Sequence, residues 1–286
     1  MRTLRLIYRF LRDVYTEFAQ DNGSLVATAM AFFGLLSLVP LLLLAIGVLG
    51  YVIGSERAFL EVEGLLRDYF PVGTEELREN LDAIRRTSGV VSGIGLLGLL
   101  WTGSNIFVIL QQAMNIALDV KDKLSFWKVR ARAIVIVVVA GFLFALSIGI
   151  TWFITAIRAY DIQVWGITTN KLDPLLDVLT TLIPLIISLV MFFLIYKYLP
   201  TIDMGFTGPL IAGVSAGLLF ELAKWVFGWY ATNFGNFTAV YGSIGGVIVL
   251  ILWIYYVSTI TVVGAEVASV YRKHERGGEQ GGSSGG

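Results

Sequence analysis

The sequence predicts an all-α membrane protein: a bundle of six transmembrane helices, with an N-terminal interfacial helix and an outer amphipathic helical hairpin. Three observations predict this fold. Hydrophobic residues make up 56% of the 286 residues and charged residues only 15%, whereas soluble domains average about 25% charged residues. The apolar residues also fall in long blocks, and a membrane-spanning helix needs about 20 such residues. A β-barrel would instead show alternating segments of about ten residues.

Residues 3–20 precede the first apolar block and predict an amphipathic helix. Apolar side chains share one face of this segment, and its three arginines, together with Arg2 just before it, lie on or beside the other face. This pattern is typical of a helix that lies on an anionic membrane surface. A helix that packs under the bundle as a lid would give the same pattern. The sequence leaves both interpretations open.

Six apolar blocks are the predicted spans. Their approximate bounds are 25–53, 89–113, 131–157, 175–199, 206–231 and 240–268. The first block is too long for the core of a signal peptide and lacks a small-residue cleavage site, so we expect it to be retained. We therefore interpret residues 1–276 as a single six-span transmembrane domain.

The segment 54–88 is the one sizeable segment expected on the outer side. It holds eight acidic residues and five arginines, and its apolar residues recur at helical spacing up to Phe70. Residues 71–73 then read as a break, and Thr74 starts a second short helix. The segment predicts an amphipathic hairpin on the outer face, which serves either as a docking surface or as a solvated cap.

The distribution of Lys and Arg predicts the orientation. If the N-terminus is cytoplasmic, the inside segments hold 13 basic residues and the outside segments hold seven. The positive-inside rule then places both termini in the cytoplasm. Residues 277–286 (GGEQGGSSGG) have the composition of a flexible linker, and we expect either a native flexible tail or the remnant of an engineered fusion.

Composition excludes several classes of site. The 21 basic and 21 acidic residues balance, so no strongly basic surface indicates a nucleic-acid partner. The chain has no cysteine and one histidine, which excludes disulfides, thiolate nucleophiles and multi-histidine metal sites. The motifs of common soluble enzymes are also missing. We therefore expect no enzyme activity, no catalytic residues, no metal and no cofactor.

Glu221 and Lys224 are the strongest site candidates. Glu221 is predicted near the bilayer centre, where a charge costs about 2.5–3.5 kcal/mol on the most lenient scale. The spacing of three residues puts both side chains on one helix face, so they can pair. The pair predicts either a proton, ion or headgroup site that faces a polar cavity, or an internal ion pair that holds helices together.

A polar stripe in the second span is the next candidate. Asn105, Gln112 and Asn115 fall within one sector of a helix, and such a stripe cannot face lipid cheaply. It predicts a surface that faces protein or a water-filled path, and ordinary hydrogen bonding between helices is the alternative. Glu266, expected at the cytoplasmic interface, and Asp177, expected to be wet on the outer side, complete the candidates for a substrate or ion path.

Three blocks resemble the YihY/BrkB family of bacterial inner-membrane proteins. They are DNGSLVATAMAFFGLLSLVP from Asp21, NIFVILQQAMNIALDVKDKLSFWKVRAR from Asn105, and residues 196–270 with YKYLP, GPLIAGVSAGLLFELAKWVFGWY and AVYGSIGGVIVLILWIYYVSTITVVGAEVASV. Together they cover most of the chain in order. The family-like positions, carried over as motif residues, are Asp21, Pro40, Asn105, Asn115, Glu221, Lys224, Tyr241, Gly242, Gly264 and Glu266.

The resemblance implies a six-span protein of the bacterial plasma membrane. The family also has an old label, ribonuclease BN, which the sequence does not support because it lacks a metal-binding carboxylate cluster on a soluble domain. Some members have been linked to envelope lipid or lipopolysaccharide export and others to cation/proton exchange. The substrate is not fixed by these links.

Three functions follow from these residues. The preferred hypothesis is a transporter or translocation protein for an amphipathic or lipid-like envelope substrate, with membrane lipids as its surroundings. The second is a cation/proton exchanger with Glu221, Asp177 and Glu266 as relay groups. The third is a non-transporting scaffold for envelope assembly. The glycine motifs are compatible both with close helix packing within one chain and with self-association. The sequence therefore allows a homo-oligomer.

Overall fold

The chain adopts an all-α polytopic fold, as its sequence predicts. The computed structural model describes residues 2–52, 74–118, 120, 124–159, 173–233 and 244–283. Over these ranges the helices are α1 (Arg2–Gln20), α2 (Gly23–Leu36), α3 (Leu38–Val52), α4 (Thr74–Ala117), α5 (Phe126–Ala159), α6 (Asp173–Tyr198), α7 (Thr207–Asn233) and α8 (Ile244–Ser283).

Six helical stretches of the described residues are long and apolar enough to cross a membrane. They are Gly23–Val48, Gly89–Ala117, Phe126–Ala156, Leu176–Tyr198, Thr207–Tyr230 and Val247–Glu275. Each overlaps one of the six predicted blocks. Only a minor share of their residues is buried inside the protein, because the face that meets lipid is apolar and does not need a protein partner.

The first span is interrupted at Ser37, which separates α2 from α3. Pro40 explains the interruption, since it has no N–H group and its ring clashes with the carbonyl four residues earlier, at Leu36. The Ser37 hydroxyl donates to the carbonyl oxygen of Gly34 at 2.7 Å. This hydrogen bond satisfies a carbonyl near the end of α2.

Two helices extend beyond the predicted apolar blocks. The predicted second helix of the outer hairpin begins at Thr74 but continues into the second span as the 44-residue α4. Residues 53–73, which include the rest of the hairpin, lie outside the described residues. The predicted flexible tail forms the last turns of α8, through Ser283. Glycine disfavours a helix by up to about 1 kcal/mol per residue, but extending an existing helix avoids the cost of nucleation.

The described residues fall into two compact units, residues 1–31 with 106–286, and residues 32–105. In the second unit, α3 and α4 approach closely. A Cβ added at Gly95 would lie 2.5 Å from the backbone nitrogen of Leu44, and one at Gly98 would lie 2.9 Å from the Cβ of Pro40. Glycine at both positions is therefore a condition of this packing.

The first unit has its core where α6, α7 and α8 meet. Phe192 and Tyr196 of α6 are buried there and stack with ring centroids 6.2 Å apart. The Tyr196 hydroxyl donates to the carbonyl oxygen of Thr261 at 2.9 Å, which joins α6 to α8. An added Cβ at Gly264 would collide with the Tyr196 ring. This core fixes the positions of the polar groups described below.

Helix α1 packs against the end of α8 in the same unit. Lys273 donates to Glu17 at 2.7 Å, and the His274 ring lies 3.2 Å from Asp13. Val14 of α1 is buried, as the lid interpretation requires. A second stripe of α1 remains exposed and carries the aromatic, leucine and arginine residues Arg5, Tyr8, Arg9, Leu11, Arg12 and Tyr15. The predicted contact of α1 with a membrane surface rests on that stripe.

Candidate functional site

Glu221 and Lys224 form an ion pair within the span of α7. The Lys224 ammonium lies 2.7 Å from Oε1 of Glu221, and the Ser188 hydroxyl of α6 donates to the same oxygen at 2.8 Å. The ammonium also lies 5.3 Å from the centre of the Phe220 ring. The structure thus brings together the two predicted residues and adds a serine from the facing helix.

Small residues bring α6 and α7 together at this site. Gly213, Gly217 and Glu221 are spaced by four residues, so they share one face of α7. A Cβ added at Gly213 would lie 2.8 Å from the backbone of Phe193, and one at Gly217 would lie 3.3 Å from the Cα of Leu189. The close backbone contact therefore holds Glu221 opposite Ser188.

The pair lies deep along its span but is not sealed from the surroundings. Glu221 is nine residues before the end of the stretch Thr207–Tyr230, or about 14 Å at 1.5 Å per residue. The Glu221 side chain is 27% exposed and the Lys224 side chain 39% exposed. Each charge is compensated by the other, and part of each still faces the outside of the protein.

An apolar groove lies between α7 and α8 and does not include the charged pair. Its volume is about 590 Å³, and five of its ten lining residues are the aromatic Phe227, Trp229, Tyr230, Trp253 and Tyr256. We call it the aromatic groove. Phe227 and Trp253 hold its wall together, with ring centroids 4.7 Å apart. The groove can take an apolar chain but offers little polar surface.

A second polar group lies at the end of the bundle where α4 and α6 end. The Asn115 side chain donates to the Thr201 hydroxyl oxygen at 2.8 Å and accepts from the Thr201 backbone N–H at 3.1 Å. Ser269 of α8 donates to the carbonyl oxygen of Ala117 at 2.8 Å. Asn115 thus ties α4 to the connection between α6 and α7.

Two buried polar side chains lie in the helices of this second group. Gln111 is 1% exposed, and neither its amide nitrogen nor its oxygen has a hydrogen-bond partner among the described residues. Glu266 is 3% exposed, and its Oε2 also lacks a partner there. Buried polar groups without partners are costly. Glu266 lies inside α8 rather than at its end, because the helix continues to Ser283. Helix α1 packs nearby.

The other predicted candidates are more scattered. Gln112 and Asp177 are exposed and Asn105 is half-buried. The Asp177 backbone carbonyl accepts hydrogen bonds from Thr180 and Thr181 at 2.9 and 3.0 Å. Within the predicted stripe, Gln112 is exposed, whereas Asn105 and Asn115 are half-buried.

Sequence reasoning missed Ser188 and Thr201 as partners. Both are common polar residues, and only the pairing of helices shows which charged or amide group each one meets. Gln111 carried a visible signal, an amide inside an apolar span, but it falls outside the predicted stripe. Among the described residues, no group of three or more His, Asp or Glu side chains could hold a metal ion.

Comparison with known proteins gives a consistent family relationship. The family model described as virulence factor BrkB matches residues 14–284 of the chain. The Bacillus subtilis ribonuclease-like protein YfkH is 24% identical over 269 residues, which are 93% of this chain and 96% of that protein. Its name carries the ribonuclease label noted above.

Two further relatives are named as membrane proteins. UPF0761 membrane protein RSc1559 of Ralstonia nicotianae is 26% identical over 87% of this chain, which spans 56% of that longer protein. UPF0761 membrane protein PSHAa0171 of Pseudoalteromonas translucida is 23% identical over 87% of this chain and 81% of that protein. No solved structure gives a significant match.

Proposed function

The chain belongs to the BrkB family of membrane proteins, and from that premise we propose that it translocates an amphipathic, lipid-like envelope substrate. We place it in the bacterial inner membrane with both termini in the cytoplasm, following the excess of basic residues in the predicted inside segments. We assign it no enzymatic step. Ser188, Glu221 and Lys224 contact the polar head of the substrate in this proposal.

The observation that carries the proposal is the partly exposed ion pair within an apolar span. A pair that served only to hold helices together would be closed off by its neighbours, but Lys224 is 39% exposed. Lys has three N–H donors, and one of them meets Glu221. The other two donors suit a phosphate or carboxylate, and the second oxygen of Glu221 suits an amine. Both are groups found on lipid heads.

The aromatic groove also supports the proposal, because it is lined in part by α7, the helix that carries Glu221 and Lys224. Its volume of about 590 Å³ lies within the roughly 300–1,000 Å³ of typical small-molecule sites. Residues of α7 line the groove, whereas Glu221 lies toward α6. A substrate with a polar head and an apolar chain has complementary surfaces on the two sides of one helix.

Lipid movement in proteoliposomes tests the proposal. We expect the protein to speed the transfer of phosphatidylglycerol and phosphatidylethanolamine, each labelled on an acyl chain with a fluorophore that dithionite quenches in the outer leaflet. Glu221→Gln and Lys224→Met should each slow the transfer by at least about tenfold, the effect of roughly 1.4 kcal/mol.

The control variants remove one carboxylate and one ammonium group at positions outside the site. Glu275→Gln and Lys128→Met alter exposed residues outside the site, and both should keep the wild-type rate. Transfer at the rate of protein-free vesicles, or equal losses in the site and control variants, would contradict the proposal. Size-exclusion profiles and circular dichroism must match the wild type for every variant.

Cation/proton exchange is the second candidate, and the buried Glu266 favours it. A carboxylate with an unpartnered oxygen inside a membrane-spanning stretch is a common relay group in proton-coupled transport. The test is dissipation of an imposed pH gradient in proteoliposomes upon addition of Na⁺, K⁺ or Li⁺. Exchange predicts a response that Glu266→Gln abolishes and Glu275→Gln retains, whereas no response to any of these cations would dismiss this candidate.

A further inference from the structure

A second open pocket lies between α5, α6 and the connection from Leu199 to Phe206, away from the charged pair and the aromatic groove. Its volume is about 780 Å³. We call it the interfacial pocket, because it lies where α6 leaves its membrane-spanning stretch at Tyr198 and α7 begins its own at Thr207. Its lining divides into a polar end and an apolar limb.

The polar end is built around Arg132. Its guanidinium donates to the carbonyl oxygen of Pro200 at 2.9 Å, which fixes the direction of the side chain. One of its five N–H donors meets that carbonyl, so the planar group can still offer a pair of donors. Thr201, already held by Asn115, belongs to the same lining.

Lys197 adds a second cation to this end. Its ammonium donates to Oδ1 of Asp203 at 2.6 Å and to the carbonyl oxygen of Gly205 at 2.7 Å. The hydrogen bond from Lys197 lowers the pKa of Asp203 below its usual value, so this carboxylate is ionised at neutral pH. Two cations and one anion therefore line the pocket, and its polar end has a net positive charge.

The apolar limb runs along α5 from the polar end. Val135, Ile136 and Val139 line it on α5, and Leu194 lines it on α6. Val139 follows Arg132 by seven residues, so the limb is about 10 Å long at 1.5 Å per residue. A free inorganic anion would leave this surface uncovered, whereas an acyl chain would cover it.

We propose that the interfacial pocket binds one anionic phospholipid, with its phosphate at Arg132, Lys197 and Thr201 and the start of an acyl chain along Val135 and Val139. Charge complementarity selects an acidic head, because the lining carries an excess of one positive charge. Basic pockets between transmembrane helices at the cytoplasmic side hold acidic headgroups in this way. The bidentate geometry of a guanidinium also matches phosphate oxygens.

This site is independent of the proposed function. It lies at the end of the spans, whereas Glu221 and Lys224 lie within one of them. A resident lipid here would seal the gap beside the α6–α7 connection whether or not the protein moves lipids. Direct binding therefore tests it without any transport measurement, and the two proposals can fail separately.

Native mass spectrometry of the full chain in mild detergent measures the binding. The probes are phosphatidylglycerol, phosphatidylcholine and free glycerol 3-phosphate, each titrated against the protein. We expect one phosphatidylglycerol to bind at least about tenfold more tightly than phosphatidylcholine. Arg132→Gln should weaken that binding by about tenfold. Arg132→Lys keeps the charge but loses the planar pair of donors, so its affinity for phosphatidylglycerol should lie between those of the wild type and Arg132→Gln.

Two matched pairs of variants separate the pocket from general effects. Val139→Trp fills the apolar limb, whereas Val138→Trp changes the preceding residue, which is exposed and does not line the pocket. Arg132→Gln has a counterpart in Arg9→Gln, which removes the same charge from the exposed stripe of α1. We expect weaker binding only in Val139→Trp and Arg132→Gln.

Several results would overturn the proposal. Equal weakening by Arg9→Gln and Arg132→Gln would mean that surface charge alone attracts the lipid. Equal weakening by both tryptophan variants would dismiss the apolar limb. Glycerol 3-phosphate binding as tightly as the lipid would identify a free-anion site instead. If Arg132→Gln does not fold, Arg132→Lys and the two tryptophan variants still decide the question.

Discussion

Tyr196 shows how a single residue joins two helices of the core. It is fully buried, its hydroxyl donates to Thr261 of α8, and its ring stacks on Phe192. A Cβ at Gly264 would collide with it, so the glycine and the tyrosine depend on each other. The hydrogen bond matters here because a buried carbonyl has no water to replace its partner.

We predict that Tyr196→Phe destabilises the protein by about 1 kcal/mol. The melting temperature in detergent should fall by about 2–4 °C. Tyr198→Phe is the control, because Tyr198 lies two residues later on α6 and is 58% exposed, and it should leave the melting temperature unchanged. Equal effects of the two variants would show that the Thr261 hydrogen bond does not stabilise the fold.

At the residue scale, the sequence could anticipate contacts within one helix but not between helices. The spacing of Glu221 and Lys224 alone allows their pairing. The contribution of Ser188 depends on the register between α6 and α7, which the sequence does not reveal. The burial of Glu266 likewise depends on how far α8 continues and on where α1 docks.

At the element scale, close contacts between helices depend on glycine. Gly213 and Gly217 let the backbones of α6 and α7 meet, and α3 and α4 use Gly95 and Gly98 in the same way. The sequence shows small residues at helical spacing, which indicate such contacts. It does not show which helix is the partner.

We predict that Gly213→Ala destabilises the protein by about 1–3 kcal/mol, the typical cost of overpacking. The new methyl group would meet the backbone of Phe193, which cannot move aside as a side chain can. Gly141→Ala in α5 is the control, since an added Cβ there has no neighbour within 4 Å. The control should be neutral or slightly stabilising, because alanine favours a helix over glycine.

Thermal unfolding in one detergent measures both glycine variants. The Glu221→Gln variant can be combined with Gly213→Ala, since the glycine contact holds Glu221 opposite Ser188. A Gly213→Ala protein as stable as the wild type would mean that α6 and α7 can separate without cost. The close contact would then have no part in forming the site.

The bounds of the elements show what hydropathy can and cannot predict. The six apolar stretches were predictable, because the bilayer requires long apolar helices. The helices themselves continue beyond the apolar stretches in α4 and α8, since backbone hydrogen bonding does not stop where hydropathy falls. The interruption of the first span near Pro40 has a local cause that the sequence contains.

At the scale of the whole molecule, orientation is the property that the sequence predicts and that labelling can measure. The chain has no cysteine, so single-cysteine variants need no cysteine-free background. We predict that Ser125→Cys, between the second and third spans, reacts with a membrane-impermeant maleimide only from the cytoplasmic side. Asn170→Cys, in the predicted outside segment between the third and fourth spans, should react only from the opposite side.

The reverse labelling pattern would contradict the predicted orientation. If Ser125→Cys reacts in intact cells whose outer membrane has been permeabilised, and Asn170→Cys reacts only after lysis, both termini lie outside the cytoplasm. The interfacial pocket would then face the outer leaflet of the inner membrane. Lipid binding in the pocket would still be measurable, so this result would revise the orientation alone.

Fold class and span number were accessible from the whole sequence, but the packing and the function were not. Composition and block length fix an all-α membrane protein, and ordered motif blocks indicate the family. The choice of neighbours among six apolar helices depends on a few contacts such as Asn115 with Thr201. Many other arrangements would bury similar apolar area, so composition cannot choose among them.

The contact between α1 and α8 has a consequence for synthesis. Glu17 and Lys273 are 256 positions apart in the chain. At about 5–20 residues per second, a ribosome takes roughly 13–50 s to make the distance between them. During that interval the apolar side of α1 has no α8 to cover it. The apolar side of α1 therefore needs another surface to bind. The nearby membrane can provide that surface until α8 has been synthesised and displaces it.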